Sequence, residues 1–298
     1  MRARFVAGPL VIVLLGLNAF SSPSYATTKG GTNEPWRAAP SFIVREVTEI
    51  PGSVFNEVGL QPDVTPPVVL HSQPLLKFQG KPGIYYLGNE PCPLCAAERW
   101  AFIAATARFG TWSHLGVAAS ASNDEYPNTQ SFTFARASFR STFITVATVE
   151  HLGSHELANG DYDVLQEPTR QEARLYSLYD TVTYFPSDPG TYPFVDFGDQ
   201  VVVAGPSYDP SLLHGLSRVQ IAAALATPTR APGREILATA NYLAAAICSI
   251  DGERPSAVCT STGVAQATHF DKIPPFSPLA TCSAKPETSQ AVCGSRTS

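Results

Sequence analysis

The chain has 298 residues, 44% of them hydrophobic and 15% charged, with a formal net charge of −5. That hydrophobic share excludes a disordered chain and is enough for a sizeable core. The acidic balance and the lack of any Lys or Arg block argue against nucleic acid as a partner.

The first elements read as an export signal. Arg2 and Arg4 are followed by the apolar run from Phe5 to Leu17, and Ser24-Tyr25-Ala26 offers small residues where a signal peptidase cuts. Residues 1–26 are therefore expected to be a signal peptide. Their apolar run is short for a membrane span, which needs roughly 20 residues. The expected location is extracytoplasmic, secreted or in the cell envelope, and anchored there if the signal is not cleaved. Residues 27–74 form a leader with N-terminal elements. Within it Ser41 to Val47 alternates like a strand, Ser53 to Val58 reads as a short helix stopped by Gly59, and 61–67 as an extended Pro-rich connector.

Residues 75–250 carry the main domain. Leu75 to Phe78 is a candidate edge strand, and Ile84 to Leu87 a short buried strand. Ala96 to Phe109 is a helix closed by Gly110, and Leu115 to Ala119 the next strand. A helical crossover makes the strands on either side parallel by default. An insertion at about 120–167 follows, in which Ser131 to Phe134 and Phe143 to Glu150 are expected to pair. Pro168 opens a helix ending near Asp180, with Ala173, Leu175, Tyr176 and Leu178 inward. Phe194 to Phe197, Gly198-Asp199 and Gln200 to Val203 form a hairpin. Helices from Ser211 to Ala226 and from Arg234 to Ile247 follow, the second delivering Cys248. Leu237 to Ile250 is apolar, but it carries Asn241 and is too short to span a membrane. Residues 251–298 are a Pro-, Ser- and Thr-rich tail with little to bury.

Chemistry concentrates at Cys92-Pro93-Leu94-Cys95, between a strand and a helix. A cysteine at a helix start meets unpaired N–H groups and the positive end of the dipole, which favour a thiolate. A second cysteine three positions on can close a disulfide with it. All six cysteines lie beyond the signal. Ten residues separate Cys248 from Cys259, and ten separate Cys282 from Cys293. Outside the cytoplasm these four are expected in structural disulfides, with local pairs the simplest of three connectivities.

The order strand, CxxC, helix, strand, insertion, helix, hairpin, helix is that of a thioredoxin-like fold, here α/β with a disulfide-bearing C-terminal extension. In that fold a proline before the hairpin carries a cis peptide and faces the cysteine pair. Tyr192-Pro193 stands there and is expected to shape a substrate groove. The run from Lys81 to Trp100, above all Cys92-Pro93-Leu94-Cys95-Ala96-Ala97-Glu98-Arg99-Trp100, resembles a thioredoxin-like family of prokaryotic proteins catalogued as a domain of unknown function. Tyr126-Pro127-Asn128-Thr129 is a second echo. The resemblance implies a redox pair but no substrate.

Cys92 is then the expected nucleophile and Cys95 the resolving thiol. Pro93, lacking an N–H, fixes the turn. Arg99 would favour a thiolate and Glu98 relay a proton, or both would serve as structural ion-pair partners. Glu90, two residues before Cys92, is at most a tuning group. The expected partners are protein thiols or disulfides, or a membrane redox partner. No cofactor is implied. One CxxC with His151 and His155 falls short of the four ligands of a structural zinc, so no metal is expected. No G-x-S-x-G motif supports a hydrolase. The alternative is a non-catalytic binding or structural module with a permanent Cys92–Cys95 disulfide.

Overall fold

The computed structural model describes residues 36–273. The signal reading at 1–26, Cys282 and Cys293 lie outside them. Two short helices come first, α1 (Ser41–Thr48) and α2 (Gly52–Val58). The strand expected over Ser41 to Val47 is thus a helix: Ile43 and Val47, four apart, bury one face, while Arg45 and Glu46 stay in water. The helix expected from Ser53 is α2, which ends at Gly59 in positive φ as expected.

A mixed sheet follows. It is built from β1 (Val68–Val69), β2 (Lys77–Phe78) and β3 (Lys81–Gly88), which leads into helix α3 (Pro93–Thr106). Next come the short strands β4 (Thr111–Ser113), β5 (Gly116–Ala119), β6 (Gln130–Thr133) and β7 (Ser138–Arg140). They precede β8 (Thr145–Glu150), β9 (Leu152–Glu156), β10 (Tyr162–Val164) and helix α4 (Arg170–Tyr179). The hairpin is β11 (Phe194–Phe197) and β12 (Val201–Ala204). A 3-10 turn (Pro210–Leu213) and helices α5 (Arg218–Leu225), α6 (Gly233–Asp251), α7 (Ser256–Cys259) and α8 (Thr262–Phe270) complete the described chain.

β3 is the hub of the sheet. β11 pairs with it antiparallel from Phe194 opposite Leu87 to Phe197 opposite Ile84, and β12 and β1 continue that side. β8 pairs with it parallel from Gly83 opposite Thr145 to Gly88 opposite Glu150. Two expectations are corrected here. The strand expected over Leu115 to Ala119 does not lie parallel to β3. It is β5, which instead pairs antiparallel with β6 in a separate two-stranded sheet. The parallel partner is β8, so part of the expected insertion belongs to the main sheet, and 131–134 and 143–150 do not pair with each other.

α3 is buried on every side apart from Leu94, as its apolar periphery requires, and it packs on α6. Three further expectations need revision. α4 starts after a Thr169 cap with a Glu172 capping box, and it buries Leu175 and Tyr179 while Leu178 is exposed. The single helix expected over Ser211 to Ala226 is broken at Gly215, which has positive φ. The tail does have something to bury. Val264 and Ala267 of α8 enter the main core, and Cys248 and Cys259 form the expected local disulfide. Among the described residues no helix is long and apolar enough to cross a membrane.

Candidate functional site

The register of the sheet builds the site. Pairing Phe194 with Leu87 sets Tyr192-Pro193 beside the C-terminal end of β3, where the chain turns into α3. The Tyr192–Pro193 peptide is cis, and the Cys92 sulfur lies 4.0 Å from the Tyr192 carbonyl oxygen. Two other cis bonds, before Pro232 and Pro255, had no warning in the sequence.

Cys92 is the N-cap of α3, and Pro93 takes the first turn, where a missing N–H is harmless. The Cys95 main-chain N–H donates to the Cys92 sulfur at 3.1 Å. Both cysteines are free thiols, Cys92 half-buried and Cys95 buried. The two titrate in opposite directions. The Cys92 thiol is held below its ordinary range, first by the hydrogen bond from Cys95. Burial opposes this, and the N–H groups of Cys95 and Leu94 and the Arg99 charge reinforce it. Burial pushes Cys95 well up, and the neighbouring Cys92 sulfur adds to that, against the pull of Arg99 and the Asn89 main chain.

Glu98 and Arg99 are both fully buried but do not pair with each other. Arg99 donates Nε and Nη2 to the two oxygens of Glu150 at 2.9 and 2.6 Å, and Nη2 also to the Asn89 carbonyl at 2.8 Å. Burial pushes the Glu150 carboxyl up. The fork from Arg99 and a third bond from the Phe134 N–H at 3.1 Å oppose that push and favour the ionised carboxylate. Glu98 accepts from the Ser207 main-chain N–H at 2.9 Å and hydroxyl at 3.1 Å. Burial raises its carboxyl to about 7 despite those bonds.

Glu90 is hydrogen-bonded to β9. It accepts from the N–H and hydroxyl of Ser154 at 3.1 and 2.6 Å, while its own N–H donates to the Leu152 carbonyl. It thereby ties β9 to the turn before Cys92. On the other flank the Tyr192 ring stacks on Tyr176 of α4 at 5.3 Å, forming a half-buried aromatic wall beside the cysteine. The 126–129 loop is fastened by Ser120 and Thr129 to the Tyr126 carbonyl, and the adjacent Ala121 N–H reaches the Pro91 carbonyl at 2.8 Å. That ties the loop to the residue before Cys92. Among the described residues no three His, Cys, Asp or Glu side chains converge on one point. The His151 ring instead meets the Gln166 carbonyl at 3.1 Å.

Sequence reasoning did not find Glu150, Ser154, Ser207 or Tyr86. Only Glu150 left a trace, as a carboxylate ending a strand of Thr, Val and Ala.

The fold and site define a mixed α/β protein whose central strand hands a dithiol to the start of a buried helix. A family described as a domain of unknown function (DUF929) matches residues 67–249, more than half of the chain, and the protein belongs to that family. No curated protein and no solved structure matches it.

Proposed function

We propose that this protein is an exported thiol–disulfide oxidoreductase with a thioredoxin-like fold, exchanging disulfides with protein thiols through Cys92 and Cys95. The fold reading is supported by the sequence of strand, CxxC, helix, parallel strand and cis-proline hairpin. The observation that carries the function is the asymmetry of the two sulfurs. Cys92 is half-buried at a helix start and accepts an N–H, whereas Cys95 is fully buried. Cys92 attacks a disulfide or is attacked within one, and Cys95 resolves the mixed disulfide. Tyr192 and Pro193 border the groove for the substrate strand, and Arg99 tunes the pair. The Cys248–Cys259 bridge is compatible with an oxidising compartment.

The test is to titrate alkylation of the reduced protein against pH and to equilibrate the pair with glutathione. The expected midpoint for Cys92 is below the ordinary cysteine value of about 8.5. The expected potential lies above about −300 mV. A lower potential with an unreactive thiol would instead mark a structural bridge and the non-catalytic alternative.

A further inference from the structure

Two buried hydrogen-bond donors beneath the dithiol have no acceptor. The Tyr86 hydroxyl is fully buried and unpartnered. So is Nη1 of Arg99, although the rest of that guanidinium is bound. Buried polar groups are almost always hydrogen-bonded, so each orphan calls for a reason. Packing does not supply one for Tyr86. Its ring is held by Phe102 and Phe134, with centroids 5.2 and 4.9 Å away, and phenylalanine would fill that space as well.

Backbone geometry brings both residues toward the turn that holds Cys92. Tyr86 and Gly88 lie on the same face of β3, and a Cβ on Gly88 would sit 2.7 Å from the Tyr86 hydroxyl. The ring therefore leans along the strand toward the turn that holds Cys92, and Gly88 leaves the room it needs. Arg99 lies one helical turn after Cys95 on the same face of α3. Its Nη2 donates to the Asn89 carbonyl, which also accepts from the Cys92 N–H at 3.3 Å. Tyr86 and Arg99 thus both approach the junction of strand and helix, close enough for the Arg99 charge to act on the Tyr86 hydroxyl. The Arg99 charge favours the Cys95 thiolate, and Tyr86 lies close enough to feel both cysteines.

We propose that the Tyr86 hydroxyl and Arg99 Nη1 form a donor pocket for the Cys95 thiolate during disulfide exchange. This rests on the redox reading above and extends it to a residue that reading did not contain. In the oxidised protein a substrate thiolate attacks the Cys92 sulfur. A bond forms between those two sulfurs, the Cys92–Cys95 bond breaks, and its electron pair leaves on Cys95. No proton moves in that step. The anion is left where water is excluded, and the two donors satisfy it. In reverse, Cys95 gives its proton to buffer, and the same thiolate attacks Cys92 and expels the substrate thiolate. The Cys92 thiolate is served separately by the N–H groups at the helix start.

The test uses the full reduced protein and an aromatic disulfide, dithiobis(nitrobenzoate), followed by stopped-flow absorbance. One chromophore leaves when Cys92 attacks, and a second when Cys95 resolves the mixed disulfide. Tyr86→Phe is expected to lower the ratio of second-phase to first-phase rate roughly ten-fold or more and to move the second-phase pH midpoint to higher pH. An unchanged ratio and midpoint would overturn the pocket. Should Tyr86→Phe fail to fold, Arg99→Lys, which keeps a cation against Glu150, reads the same phase with the same expectation and the same overturning result. A wild-type protein that releases no chromophore would sink the redox assignment itself.

Discussion

Two cysteines of identical chemistry are given opposite characters by three residues of chain. Cys92 takes the uncovered end of a helix, and Cys95 its shielded first turn, so one is primed to ionise and the other to stay protonated until needed. Tyr86 has the same dependence on place. An unpartnered hydroxyl in a core is destabilising by about 1–3 kcal/mol. Tyr86→Phe should therefore raise stability by about 1 kcal/mol, or roughly 3 °C in a melt, while slowing exchange. A tyrosine kept for packing alone would show no such opposition. Glu98 predicts a pH dependence. It holds its proton to about pH 7 in the folded chain, against an ordinary value of 4.5. Its neutral form therefore stabilises fully below the lower value, and that contribution is lost as pH rises through the upper one. Melting temperature should climb from pH 7.5 to 5, with Asp251 (about 7) and Asp271 (about 6) acting in the same sense. Glu98→Gln should reduce the total stability change across that pH range by up to about 3 kcal/mol.

The elements that were legible announce themselves locally. The strand before the CxxC, the helix after it and the Gly198-Asp199 turn, both residues with positive φ, depend on neighbours in sequence. The cysteine pair was legible for the same reason, whereas Tyr192-Pro193, which is cis, was legible only through the order of the elements around it. What local pattern could not supply was pairing. β5 was read as the partner of β3 because it follows the helix, yet β8 has the longer β-branched run and reaches β3 from beyond a separate hairpin. The partners of the buried charges were hidden likewise, because Glu150 is 51 residues from Arg99 and Ser207 is 109 from Glu98. α1 was misread because Ser-Phe-Ile-Val-Arg-Glu-Val satisfies both periods over so short a span. At the C-terminal end, the Cys248–Cys259 bridge joins α6 to α7. Replacing both cysteines with serine should destabilise the protein by about 2–3 kcal/mol in chemical denaturation. Equal midpoints would show that packing of α8 alone holds this corner.

At the scale of the molecule, the family-matched stretch and the body it sits in have different limits. α1 and α2 precede residue 67, and α7 and α8 follow residue 249, yet all but α7 contribute buried side chains to the core around α6. Asn241, the polar residue in the middle of that apolar helix, shows how. Its side-chain nitrogen donates to the carbonyls of Phe55 and Gly59, both at 2.9 Å, and its oxygen accepts from Arg108 at 3.2 Å. Gly263 of α8 lies so close that a Cβ there would sit 2.5 Å from the amide. The amide is a rivet through three helices from distant parts of the chain. A polypeptide trimmed to 67–249 would bare that rivet together with the apolar flank it fastens, and it should lose its cooperative melt and bind a hydrophobic dye. The family-matched stretch is thus expected to be smaller than a piece that folds alone, and a relative without these flanking helices would have to cover the same wall with something else.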